Sequence, residues 1–256
     1  MLSFIGRRLI YLVPVLLAVS LLTFLIASLL PGDLASVILA DQATPETLRA
    51  LRHDMGLDQP IWWRYLLWLG HILQGDFGRS FRTGQTVWRA ISERVPVSLE
   101  LMFFAEMMGL IIGIPLAIAC AVRQGSGFDR TVTGVAFAML SVPSFLSSIL
   151  MIYLFAVSLR LLPATGYVPL TEDPIGNLRC FVLPSFALAL GEWPVLMRVL
   201  RSDMIATLQE DFIAMAKAKG LKPARILLVH ALKPSSLTLV TVTGINIGRL
   251  IGGALI

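Results

Sequence analysis

Glu210–Leu232 reads EDFIAMAKAKGLKPARILLVHAL, the longest polar interruption in the second half of a very apolar chain. Three of the four lysines, Lys217, Lys219 and Lys222, fall inside it, and Lys233 follows directly. Good helix formers lead up to Gly220 and resume after Pro223, so the stretch reads as helix, sharp turn, helix. Ala214, Ala216 and Ala218 alternate with bulkier or charged residues, and such small side chains let one face pack closely against another body. The residues alone leave two readings open: a docking element for a soluble partner, or a basic loop joining two apolar segments.

Apolar segments flank it on both sides. Downstream, 236–256 reads as a membrane span in which Gly244, Gly248, Gly252 and Gly253 offer a small-residue face for helix packing. Upstream, 181–200 is a span interrupted by Glu192 and Pro194. Before it, 131–157 is another, broken at Ser141–Phe145, with Pro143 expected to kink it by removing a backbone bond and clashing with the preceding turn. The segment 97–122 carries Glu100 and Glu106 together with a Gly109–Gly113 GxxxG pair. The first apolar run, 9–30, follows Arg7-Arg8; its length of roughly 33 Å suffices to cross the hydrocarbon core. It is too long for the apolar core of a signal peptide and no small-x-small cleavage site follows. Composition agrees: 56% of residues are hydrophobic and 14% charged, and the mean hydropathy of +0.80 lies outside the soluble globular range. The fold class expected is an all-α integral membrane bundle with five spans.

Between the first two spans, 31–95 is the largest polar region. Thr44-Pro45-Glu46 has the form of a helix start. The run IWWRYLLWLGHIL after Pro60 is short and aromatic, as suits a helix lying at a membrane interface. Charge orients the chain. With residues 1–8 in the cytoplasm, the inner pieces hold Arg7, Arg8, Arg123, Arg130, Arg198, Arg201, Arg225 and every lysine. The long outer region carries seven arginines, but long segments cross largely regardless of charge. The loop 201–235, with Gly220 at its centre, is thereby expected inside.

The net charge of +5 is accounted for by this topology and does not point to nucleic acid. No Gly-x-x-x-x-Gly-Lys-Ser/Thr loop occurs. His53, His71 and His230 are far apart, and Cys120 and Cys180 have no ligand spacing and are expected near opposite membrane faces. Neither catalytic nor metal-ligating residues are expected. What remains is a set of ionisable groups at membrane depth: Glu106, Glu192 and Arg249. Such groups are costly in lipid and face the bundle interior or a water-filled path. Arg249 is expected to pair with Glu106 or Glu192, lining or closing a translocation path; a structural ion pair or an arginine reaching to the interface are the competing readings.

The spacing of the Gly220 stretch resembles the cytoplasmic "EAA" loop of ABC-importer permeases. The strings Asp211-Phe212-Ile213, Ala218-Lys219-Gly220-Leu221 and His230-Ala231-Leu232 are closest to the dipeptide/oligopeptide/nickel class. The runs GLDQP and GDFG before the second span, Ser141–Phe145 and Leu162–Tyr167 carry the same likeness. Ala214 stands where the general motif has Glu, and Thr238 where a Pro is usual. The resemblance implies the type I importer permease fold, with a sixth helix beyond Ile256, so that the sequence given stops short of it. It makes Glu210, Asp211, Phe212, Ala214, Ala216, Ala218, Lys219, Gly220 and Leu221 the ATPase-coupling segment.

The function implied is that of a passive helical gate for di- or oligopeptides, nickel, opines or another small solute in a prokaryotic inner membrane. The partners implied are a second permease subunit, two ATPase subunits that carry the ATP and magnesium, and an extracytoplasmic substrate-binding protein. No cofactor is expected on this chain. An ion-coupled secondary transporter using Glu106, Glu192 and Arg249 is the alternative, although such folds usually show internal repeats and would leave the Gly220 stretch without a role. A membrane anchor or sensor would need a soluble domain larger than 33–95.

Overall fold

The computed structural model describes residues 2–29, 39, 44–54, 56–80 and 83–254. The described residues are helical apart from one isolated antiparallel bridge, Arg79 to Thr86, and the connecting turns. The chain divides into two compact units, Met1–Glu93 and Arg94–Ile256.

In the first unit, α1 (Leu2–Leu29) keeps its apolar side chains exposed along nearly its whole length. A short helix, α2 (Pro45–Asp54), starts where Thr44 accepts a hydrogen bond from the Thr47 amide, satisfying one of the free donors at a helix start. Pro60 ends the next turn, and the aromatic run forms α3 (Ile61–Leu73). Its Tyr65 and Trp68 rings lie 5.6 and 5.7 Å from Phe24 of α1, and the Tyr65 hydroxyl bonds to Ser20 at 2.9 Å. Tyrosine and tryptophan thus attach α3 to α1 through ring faces and one polar contact.

The second unit is organised on α7 (Pro174–Leu208), which Asp173 caps and Pro174 opens. It extends beyond the apolar run 181–200 at both ends, so the first residues of the expected 201–235 loop are helical. Against α7, α4 (Val87–Val122) presents Gly109 and Gly113. A Cβ on Gly109 would lie 3.3 Å from Glu192 Cβ, and one on Gly113 would lie 3.3 Å from the Trp193 carbonyl oxygen. The GxxxG pair therefore brings two backbones together, whereas a Cβ added at Gly244 or Gly248 would meet nothing within 4 Å among the described residues.

The segment 131–157, expected as one span broken at Ser141–Phe145 and kinked by Pro143, is two helices separated at that break. The first, α5 (Gly127–Ser141), ends before Val142 and Pro143, whose ψ angles of 124° and 135° are extended. The second, α6 (Ser144–Met151), runs on as a π-helical stretch, Ile152–Ser158, at 102° to α5. A proline disfavours the helical conformation of the residue before it and cannot donate its own bond, so Val142 and Pro143 together break the helix.

After α7 come α8 (Asp211–Ala218), a turn, a start at Pro223–Arg225 and a π-helical stretch Ile226–Ala231 leading into α9 (Leu232–Ala254). The core joins Leu196, Met197, Leu200 and Met204 of α7 with Ala117 and Ala121 of α4, Ala136 of α5, Ile213 and Ala216 of α8, and Leu239 of α9. Among the described residues, four helices are long and apolar enough to cross a membrane, and the bent α5–α6 pair would make a fifth.

Candidate functional site

The Gly220 stretch folds as helix, turn, helix. The Leu221 amide donates to the Ala216 carbonyl at 3.2 Å and the Gly220 amide to the Lys217 carbonyl at 2.9 Å. This paired closure needs a left-handed residue between them, which Gly220 supplies at φ +73°. Within α8, Ile213 and Ala216 are buried in the core while Phe212 and Met215 remain 46% and 59% exposed. Spacing explains the split: residues two apart on a helix lie on nearly opposite sides, so Ala214 and Ala218 face out with Lys217 and Lys219 while Ala216 faces in. Next to α8, Thr207 at the end of α7 and the buried Ser235 of α9 share a hydroxyl bond of 2.9 Å. The segment is thus fastened on its inner side and leaves an apolar and basic outer side, with Glu210 and Asp211 at its start.

A second feature is a cavity of about 760 Å³ in the elbow between α5 and α6, facing α7. Met139, Pro143, Ser147, Cys180, Glu192 and Arg249 are among the residues lining it. The volume lies within the roughly 300–1,000 Å³ typical of small-molecule sites. Arg249 of α9 pairs with Glu192 of α7 through Nη2 and Oε1. Glu106 does not line the cavity; it is buried on α4, within electrostatic reach of both. The Thr243 hydroxyl stands near Glu106 without meeting hydrogen-bond geometry. Thr243 and Arg249 of α9 are thus the polar groups that stand by the two glutamates. The structure therefore brings Glu192 and Arg249 together on a cavity wall and leaves Glu106 behind it. Among the described residues no group of His, Cys, Asp and Glu could hold a metal ion.

A third feature escaped the reading of the sequence. Asp129, buried in the first turn of α5, receives Nε and Nη2 of Arg201 on α7, both at 2.6 Å. Its Oδ2 also accepts the Gly125 amide at 2.9 Å, and Ser126 caps α5 by accepting the Asp129 amide. Hydrogen bonding from Arg201 and, after it, from Gly125 holds the Asp129 carboxyl below the usual carboxylate range against the opposing effect of burial. A Ser-x-x-Asp start signal is present at Ser126–Asp129, but nothing nearby in the chain points to Arg201, 72 residues on. Three residues before Arg201, Arg198 lies over the Phe137 ring of α5 at 5.1 Å, a cation–π contact.

Comparison with known proteins adds a separate line. The description "Binding-protein-dependent transport system inner membrane component" matches residues 113–256, and the N-terminal part of such membrane components matches residues 1–102. The whole chain aligns with a putative peptide transport system permease protein of Brucella abortus, 39% identical and covering 82% of that protein. It also aligns over its whole length with the di/tripeptide transport system permease DppB of Pseudomonas aeruginosa and the dipeptide transport system permease DppB of Escherichia coli. Both are 34% identical, and the chain covers 82% and 83% of them.

Proposed function

The chain belongs to the binding-protein-dependent transport system inner membrane components, the multi-pass permease subunits of ABC importers, and from that premise we propose that it forms part of the path for peptides or a similar small solute and is moved through α8 by separate ATPase subunits. The observation that carries the coupling role is the two-sided packing of α8: Ile213 and Ala216 locked into the core, Phe212 and Met215 exposed beside Lys217 and Lys219. An apolar patch edged by charge suits a protein groove. Ile213 and Ala216 seat α8 in the core it shares with α7 and α9, and the Thr207–Ser235 bond ties those two helices to each other, so displacement of α8 reaches the two helices that carry Glu192 and Arg249.

In this reading the N-terminus and the 201–235 segment are cytoplasmic, and ATP and magnesium belong to the ATPase subunits. A second permease completes the path, and an extracytoplasmic binding protein delivers the solute. The cavity beside Glu192 and Arg249 is the solute-facing part of this subunit, alternating between the two sides as packed helices shift about it. Peptides are the first expectation because the relatives are named for peptide, di/tripeptide and dipeptide transport.

The test is uptake of labelled di- and tripeptides, in competition, by the assembled transporter in vesicles. Uptake should require ATP, and Arg249→Ala should change the relative rates of the peptides while the same subunits still purify together. Uptake driven by a proton or sodium gradient without ATP would overturn the reading in favour of an ion-coupled carrier.

A further inference from the structure

We propose that the Asp129–Arg201 pair is the linkage that makes α5 follow α7, carrying motion of α8 to the Val142–Pro143 break in the cavity wall; this rests on the transport reading above. The geometry is that of a lever. Helix α5 spans about 22 Å, with Asp129 at one end and the break at the other. Among the described residues, α7 is the helix along which α5 packs extensively. Arg201 and Arg198 grip it at two levels, through Asp129 and the Phe137 ring. Arg201 lies one turn from Met204, which shares the core with Ile213 and Ala216 of α8. A push on α8 therefore arrives at α7 beside Arg201, passes across the ion pair into the start of α5, and tilts the arm whose far end, Met139 to Pro143, lines the cavity. Because Val142 and Pro143 are extended, α5 can tilt without dragging α6 through a continuous helix, and the elbow opens or closes.

The fork geometry matters to this role. A guanidinium held by two parallel bonds resists rotation as well as separation, which a single-point contact does not. Both Asp129 oxygens are committed, one of them also to the Gly125 amide, so the turn 123–130 moves with the pair. A purely structural pair at such a site is replaceable, since apolar residues of similar volume are often as stabilising as a buried ion pair. That difference supplies the test.

The intrinsic Cys180 lines the cavity, while Cys120 is fully buried and serves as an internal control. The experiment measures alkylation of Cys180 by N-ethylmaleimide in the transporter assembled with its ATPases, with and without ATP plus vanadate, by mass spectrometry of the Cys180 peptide. The wild-type chain should show a severalfold change on nucleotide trapping. The double variant Asp129→Leu/Arg201→Met should keep its subunits and its ATP hydrolysis yet lose the change, and Arg201→Lys should show a reduced one. A full change in the double variant would overturn the linkage and leave the transport reading standing. Loss of the change together with loss of the ATPase subunits from both variants would assign the pair to folding and also overturn it. No change in the wild-type chain would contradict alternation of the cavity itself, and the linkage with it.

Discussion

At the scale of single residues, Gly220 and Asp129 carry the most specific consequences. Gly220 sits at φ +73°, where a side chain costs about 1–2 kcal/mol. Gly220→Val should loosen the paired closure after α8 and cut ATP-driven uptake severalfold, measured per amount of chain in the membrane, without removing the chain from it. Asp129 makes a pH argument possible. Its folded-state carboxyl titrates below its unfolded value, chiefly because of Arg201, so it stabilises the fold above the unfolded value, about 4. That contribution is lost as pH falls through the lower, folded value. The gap in thermal unfolding midpoint between the wild-type chain and Asp129→Asn should therefore be flat from about pH 8 to about pH 5 and shrink only below about pH 4. A gap that closes near neutrality would contradict the bidentate pair.

At the scale of helices, the close approach of α4 to α7 rests on absent side chains. A Cβ at position 113 meets a backbone carbonyl oxygen, which cannot rotate away as a side chain could. Gly113→Ile should destabilise the second unit by about 1–3 kcal/mol, read as a lower unfolding midpoint in detergent. How far the elements were legible in sequence follows from the range of the cause. The turn at Gly220 was readable because its determinants, a helix former run, a glycine and a proline, lie within a few residues. The GxxxG contact was readable because its spacing is a helix period. Pro143 announced an interruption, but its size depends on Val142 also turning extended, and a local pattern does not set the resulting 102°. Ala214, Ala216 and Ala218 looked like one face, yet helical geometry separates Ala216 from the other two. Glu192 and Arg249 were recognisable as costly groups at membrane depth, while the choice of Glu192 over Glu106 as partner needed the helix packing. The Asp129–Arg201 pair is a purely tertiary contact, and no local signal identifies the arginine.

At the scale of the whole molecule, the features fall into one sequence of contacts. An outward-facing patch on α8 leads to a core shared by α7, α8 and α9, and that core leads to a cavity whose wall holds an acid, a base and a broken helix. In the proposed reading, a separate subunit that pushes on α8 drives this arrangement. The most direct measurement is purification of the full-length tagged chain, expressed with its own partners, in mild detergent, with mass spectrometry of what accompanies it, alongside Phe212→Glu/Met215→Glu. The expected result is a second permease and two ATPase subunits with the wild-type chain, and loss of the ATPases but not of the second permease with the variant. A wild-type chain that purifies without ATPases, or a variant that retains them in full, would contradict the role of α8 as the element through which this permease is driven.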